Sequence, residues 1–279
     1  ADELTLSRVS NDAYVESYAN AGGLVGYLEG YTSGYKDSSL IAKIEESWNE
    51  GKVGTNELGN LGGIVGNAEN KTLNISKVFN LGTIDGYGYA GGIIGYFKPE
   101  TSGSIKNSYN AGSITSNNWS AYDGASGGIV GAWLIGAEGP LTSYWDRTTY
   151  KIVGTSWASK TIKNSYNVGT VTSENTSDGI MPGTPNQVTQ TNVYTAGDDE
   201  AANKTNIEAI WSSWNSNGGT VDKTGGNSSA VWRVYQNPNN ITDKARQPLL
   251  TTFMLSDTVT RYSELTSAGT IEPYNLLQK

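Results

Sequence analysis

The sequence contains no cysteine and no histidine among its 279 residues, and only three phenylalanines. Without cysteine there is no disulfide, no thiolate nucleophile and no Cys-ligated zinc. Without histidine the chain lacks the commonest general base and the commonest transition-metal ligand. Charge is sparse as well: 16% of residues are charged, below the roughly 25% usual in soluble domains. What charge there is leans acidic, with 27 Asp and Glu against 19 Lys and Arg, a formal charge of −8. Such a surface is a poor partner for nucleic acid or for an anionic membrane. No run approaches the roughly 18 consecutive apolar residues of a membrane helix. Neither nucleic-acid binding nor membrane insertion is expected. No signal peptide is visible and Ala1 opens the chain without a methionine, which predicts a processed product or a part of a larger polypeptide.

Against these absences stand 35 glycines, 17 tyrosines and 8 tryptophans, with abundant Asn, Ser and Thr. Aromatic and β-branched residues recur in order, so the composition is not that of a disordered chain. It predicts an all-β, turn-rich protein. A cysteine-free chain of this kind suits an exported bacterial protein.

The order is a repeat. Ile44–Val53 (IEESWNEGKV), Ile75–Ile84 (ISKVFNLGTI), Ile105–Ile114 (IKNSYNAGSI) and Ile162–Val171 (IKNSYNVGTV) share the pattern I-x-x-x-aromatic-N-x-G-x-[IV]. The fixed positions are Ile44, Trp48, Asn49 and Gly51; Ile75, Phe79, Asn80 and Gly82; Ile105, Tyr109, Asn110 and Gly112; Ile162, Tyr166, Asn167 and Gly169. A second phrase precedes each copy: GGLVG (Gly22–Gly26), GGIVG (Gly62–Gly66), GGIIG (Gly91–Gly95) and GGIVG (Gly127–Gly131). The unit is a short apolar strand between glycines, a variable loop and an aromatic strand, at a period of about 30 residues.

A helix is excluded because N-x-G in mid-segment costs roughly 1 kcal/mol or more per copy. As a strand, alternation predicts Ile105, Asn107, Tyr109 and Ala111 on one face and Lys106, Ser108 and Asn110 on the other. Asn and Gly tolerate a left-handed backbone, so N-x-G is expected to be the corner between strands. Stacked copies would put Asn49, Asn80, Asn110 and Asn167 in one column, where side-chain amides can bond rung to rung. One unit cannot bury its few apolar residues alone, and stacking gives it a core.

The phrase GGIVG…SIKNSYNAGSI resembles the GLUG-type repeats of bacterial surface proteins, among them filamentous-haemagglutinin-like adhesins and regions accompanying some surface peptidases. SYWDRTT (Ser143–Thr149) and VWRVYQNPNN…QPLL (Val231–Leu250) are similar to segments that commonly lie C-terminal to such repeats in large secreted adhesins. The resemblance spans roughly residues 17 to 173. It departs at the N-terminus, where VESYANAGGLVG lacks the full aromatic-strand phrase, and at Gly131–Lys160, where a long insertion separates two strands. It implies a right-handed parallel β-helix (a solenoid) with a smaller mixed C-terminal cap. It also implies a non-enzymatic fragment of a secreted or cell-surface bacterial adhesin, acting in cell adhesion and virulence.

The expected organisation is therefore repeats over residues 1–190 with an insertion at about 131–160, a cap over 191–256, and an exit segment or linker over 257–279. Residues 174–197 read as a loop with a short strand near Val193 and Tyr194. Asp198–Trp214 carries acidic residues at its start and Ile207, Ile210, Trp211 and Trp214 at helical spacing, which predicts a short helix over 199–214. Such a helix could shield the open end of the solenoid. Strands are expected at Ala230–Tyr235 and Leu249–Leu255.

Two readings attach to the aromatics of the insertion, Trp133, Tyr144, Trp145, Tyr150 and Trp157. They pack it onto the solenoid flank, or they form a stacking platform for a host or bacterial glycan or protein. The rivals to adhesion are a polysaccharide-cleaving enzyme, which needs two carboxylates about 5 to 10 Å apart, and a non-binding stalk. Asp85 and Asp123 lie beside glycines but lack the alternating oxygen ligands of a calcium loop, so they read as turns. No metal, cofactor or catalytic residue is called for. Sequons such as Asn70, Asn118 and Asn240 accompany the Asn- and Thr-rich composition.

Overall fold

A computed structural model describes residues 3–29, 40–69, 72–98, 101–117, 124–132, 158–167, 169–173, 176–182, 188–195, 221–222, 231–234 and 248–253, and every structural statement concerns these residues. They are all-β. The described residues include no α-helix, only a 3₁₀ turn at Thr251–Phe253.

One pass of the chain shows how the repeat is used. Thr72–Ser76 and Phe79–Asn80 lie in a first sheet, Ile84–Gly91 in a second and Ile94–Phe97 in a third, after which Ser102–Lys106 returns to the first. Each such pass, or layer, lies in parallel register on the one before it. In the first sheet Leu6 pairs with Ile44, Ile44 with Ile75, Ile75 with Ile105 and Ile105 with Ile162. The second sheet repeats this with Val53, Ile84, Ile114 and Val171, and the third with Val25, Val65, Ile94 and Val130. Parallel sheets bury their strands between other elements, and here the three sheets bury one another. Ile44, Ile75, Ile105 and Ile162 share a single apolar cluster with Ile64, Ile93 and Ile129 from the turns into the third sheet. A second cluster holds Val53, Leu61, Ile84, Ala90 and Ile114.

The glycine phrases are where layers approach most closely. A Cβ on Gly63 or Gly92 would run into the backbone carbonyl of the next layer and into the side chain of Asn80 or Asn110. One on Gly82 or Gly112 would strike the carbonyl oxygen of the glycine one layer earlier. The asparagines therefore reach across the interior to the glycine corner opposite.

That geometry corrects the strict alternation expected around the aromatic. Residues Arg8, Glu46, Lys77, Asn107 and Asn164 all adopt positive φ, between 49° and 58°. A left-handed residue inside a strand flips the side-chain parity. Val78 consequently joins Ile75 in the core, and Ser108 and Asn110 are buried, whereas they were expected opposite Ile105. The aromatics turn to the outer side and stack: Trp48 on Phe79 at 5.9 Å, Phe79 on Tyr109 at 5.1 Å and Tyr109 on Tyr166 at 5.0 Å between ring centroids. Trp232, fully buried, tilts against Tyr109 and Tyr166 at 6.3 and 5.8 Å. It lies on the strand Trp232–Val234, which pairs with Val221–Asp222 and, antiparallel, with Pro248–Leu250.

Other expectations shift. Residues 174–197 are not simply a loop, since Thr176–Asp178 extends the second sheet and Val188–Thr195 pairs in parallel with Lys160–Asn167. The expected strand at Leu249–Leu255 is shorter, ending where Thr251 begins the 3₁₀ turn. The N-terminal residues supply a further copy of the aromatic strand in degenerate form, Ser10 pairing with Trp48 and Asn11 with Asn49. The helix over 199–214 and the segment 257–279 lie outside the described residues.

Candidate functional site

In the first sheet the inward asparagines of successive layers are bonded to one another. Along the amide column, Nδ2 of Asn11 donates to Oδ1 of Asn49 at 2.8 Å, Asn49 to Asn80 at 2.8 Å, Asn80 to Asn110 at 2.7 Å and Asn110 to Asn167 at 2.7 Å. The second hydrogen of each Nδ2 goes to the carbonyl two residues on, as in Asn80 to Gly82 at 2.8 Å and Asn110 to Gly112 at 2.8 Å. Hydroxyls serve the left-handed corners: Ser47 Oγ accepts from Val9 N, and Ser108 Oγ from Val78 N. The fixed repeat residues are therefore scaffold, and recognition chemistry has to come from the outward positions.

On the second sheet those positions carry an exposed aromatic group. Tyr14 is 54% exposed and Tyr18 76%, and Leu58 is exposed in the next layer. Val15 packs against the core, so alternation turns Glu16 outward between the two tyrosines. Glu16 accepts from Nδ2 of Asn56, and it bonds the Tyr14 hydroxyl, whose pKa is raised by desolvation first and then by that bond and the Glu16 charge. Lys52 Nζ lies 5.7 Å from the centroid of the Tyr14 ring and 3.2 Å from Asp85 Oδ2. Asp85, a turn residue by sequence, thus sits in a strand and in an ion pair.

The third sheet carries a second polar group around Tyr27. Its phenol is raised, by burial first and then by the charges of Glu69 and Glu29, with hydrogen bonds to both. Glu69 is the inverse case. Burial raises its pKa, but the hydrogen bond and charge of Lys98, at 2.9 Å, with bonds from Asn67 and Tyr27, outweigh it and the pKa is lowered. These surfaces combine flat rings with carboxylate, amide and ammonium groups already held in place. Rings stack on apolar faces of a ligand while the polar groups meet its hydroxyls or amides.

The aromatics picked from the insertion, Trp133, Tyr144, Trp145, Tyr150 and Trp157, lie outside the described residues, as do Asp123, Asn70, Asn118 and Asn240. Sequence reasoning missed Tyr14, Tyr18 and Tyr27. The signal was their outward parity in the first layer, hidden because that layer lacks the full repeat phrase. Among the described residues no three Asp or Glu side chains gather to hold a metal ion. Comparison with known proteins finds no matching family model, curated protein or solved structure.

Proposed function

We propose that the chain is a binding module of a secreted or surface-displayed bacterial adhesin, built as a right-handed parallel β-helix of GLUG-type repeats. The β-helix reading is supported by the cyclic order in which the chain visits three parallel sheets, and its hand by the right-handed rule for parallel crossovers. The single observation that carries the binding reading is the exposure of Tyr14 and Tyr18 at the two ends of the strand Val15–Ser17, over the apolar interior of the second sheet, beside Glu16, Asn56, Lys52 and Asp85. A rigid support loses little entropy when a ligand docks, and an extracellular glycan or protein is the class of partner the surface suits. The module is non-catalytic in this reading.

The test is a screen of glycans and host-matrix proteins against the whole chain. A ligand is expected whose affinity falls about tenfold or more in Tyr14→Ala and Tyr18→Ala. Trp145→Ala and Trp157→Ala, run alongside, ask whether the insertion contributes. Binding untouched by the two tyrosine substitutions removes the second sheet as the site.

A further inference from the structure

The ion pairs of the molecule leave two lysines over, and the two are neighbours. Among the described residues Arg8, Lys43, Lys52, Lys77 and Lys98 each meet a carboxylate. Lys160 is buried, with its Nζ 4.8 Å from the centroid of the Phe97 ring. Lys106 and Lys163 meet no carboxylate among the described residues. They stand opposite each other on adjacent strands, both turned outward by the alternation that puts Ile105 and Ile162 in the core. Lys106 is exposed and Lys163 half-buried. Like charges set opposite each other in a sheet oppose pairing, so the pair is a local excess of charge that the fold itself does not use.

No acid of the same layers offsets them. Residues 72–80, 102–110, Lys160–Asn167 and Val188–Thr195 are successive layers of the first sheet and contain no Asp or Glu, in a chain whose formal charge is −8. Glu45 and Glu46, in the layer before these, are already held by Lys43 and by Arg8 and Lys77.

The ground around the pair is flat and polar. Ser76 and Thr191 flank it in register, and the adjacent outward column runs Asn74, Ser104, Thr161 and Thr189. No aromatic ring stands among these positions. Asn107, next to Lys106, adds a donor. Its Oδ1 accepts from Asn164 Nδ2 and from Trp232 Nε1, each at 3.4 Å, which sets the orientation of the amide and leaves its Nδ2 with no partner among the described residues.

We infer that this face of the first sheet binds an acidic polysaccharide, one anionic group bridging Lys106 and Lys163 while the hydroxyl and amide column meets the sugar hydroxyls. Neighbouring strands lie about 4.8 Å apart, so the two ammonium groups can flank a single sulfate or carboxylate. To the site these are one chemistry, a compact negative charge with several acceptor oxygens. Nucleic acid fits less well, because a single strand is held by rings on which its bases stack, and this face carries none. The site lies on a different sheet from Tyr14 and Tyr18, goes beyond the reading built on them and stands without it.

The test titrates the full chain with three matched polymers, dextran sulfate, carboxymethyl-dextran and neutral dextran, by calorimetry at about 0.1 M salt, where charges more than about 10 Å apart are largely screened. A charged polymer is expected to bind and the neutral one not to, and the tighter of the two charged polymers tells whether sulfate or carboxylate is the anion. Lys106→Gln with Lys163→Gln is expected to lower that affinity about tenfold. Lys106→Arg with Lys163→Arg should retain it. Arg8→Gln, which removes a cation three layers away, should change it less than about twofold. Both lysines point outward, so the fold is expected to survive in each variant, which circular dichroism checks. Failure of both charged polymers to bind at millimolar sugar overturns the inference, as does binding that the double Gln variant keeps. Equal affinity for an oligothymidylate of the same charge also overturns it, since the hydroxyl column would then add nothing.

Discussion

Asn80 sits in the middle of the amide column, where its side chain accepts from Asn49, donates to Asn110 and donates again to the Gly82 carbonyl. Asn80→Ala removes all three bonds and strands two buried partners, each costing about 1–3 kcal/mol when left unpaired. A loss of about 3 kcal/mol or more is expected in urea unfolding. Asn11→Ala, at the exposed end, should cost about 1 kcal/mol or less, because water replaces the lost partner. Equal effects at the two positions would show that the column is not a cooperative interior feature. Acid sensitivity also belongs to single residues. Burial raises the Glu46 carboxyl, but Arg8 and Lys77 outweigh it and lower the pKa from 4.5. Glu69 is lowered in the same way by Lys98. A depressed folded-state pKa contributes stability above the unfolded value and loses it as pH falls through the folded one. Urea midpoints should therefore drop below about pH 4.5, and Glu46→Gln should flatten that slope. The asparagine column could be anticipated from the spacing of N-x-G alone. The parity flip was signalled only at Asn107 and Asn164, because Asn takes positive φ readily, whereas Arg8, Glu46 and Lys77 are residue types that seldom do.

The aromatic strands were readable as elements because each copy keeps Ile, an aromatic, Asn and Gly in fixed places. Two further copies were not. Ser10 replaces the aromatic in the first layer, and Gln190 stands opposite Ile162 in the strand Val188–Thr195. There the pairing of neighbouring layers overrides a weak local signal. The outer aromatic stack depends on a distant element, since Trp232 covers Tyr109 and Tyr166 and its Nε1 donates to Asn107 Oδ1 at 3.4 Å. Trp232→Ala should cost about 3–5 kcal/mol, as for other buried aromatics. It should also diminish the near-ultraviolet dichroism of the tyrosines. A variant with unchanged near-ultraviolet signal would place the tryptophan elsewhere. The sequence did mark residues near Trp232 and Leu250 as strands, but not the flank they cover. That flank is set by a contact between residues far apart in the chain, Trp232 with Tyr109 and Tyr166, and periodicity carries no such information.

At the scale of the whole molecule the repeat gives layers that contact chiefly their neighbours, so stability is expected to be a sum over layers and interfaces. The outward surface obeys different rules. Its tyrosines are free of the repeat, which is why the repeat did not point to them, and the insertion drew attention by sheer density of tryptophan. The proposed β-helix and its proposed ligand both rest on strands of successive layers lying side by side in strict register. The absence of native cysteine makes that register directly measurable. Asn74 and Ser104 are paired on neighbouring strands, with Ser104 Oγ 2.9 Å from Asn74 Oδ1 on the exposed side. Adjacent strands lie about 4.8 Å apart, within the Cα range a disulfide accepts. In Asn74→Cys/Ser104→Cys, oxidation should form an intramolecular disulfide nearly completely while the fold is retained. The shifted pair Asn74→Cys/Lys106→Cys should stay reduced. Disulfide formation in the shifted pair and not in the registered one would contradict the stacking on which the proposed fold and function depend.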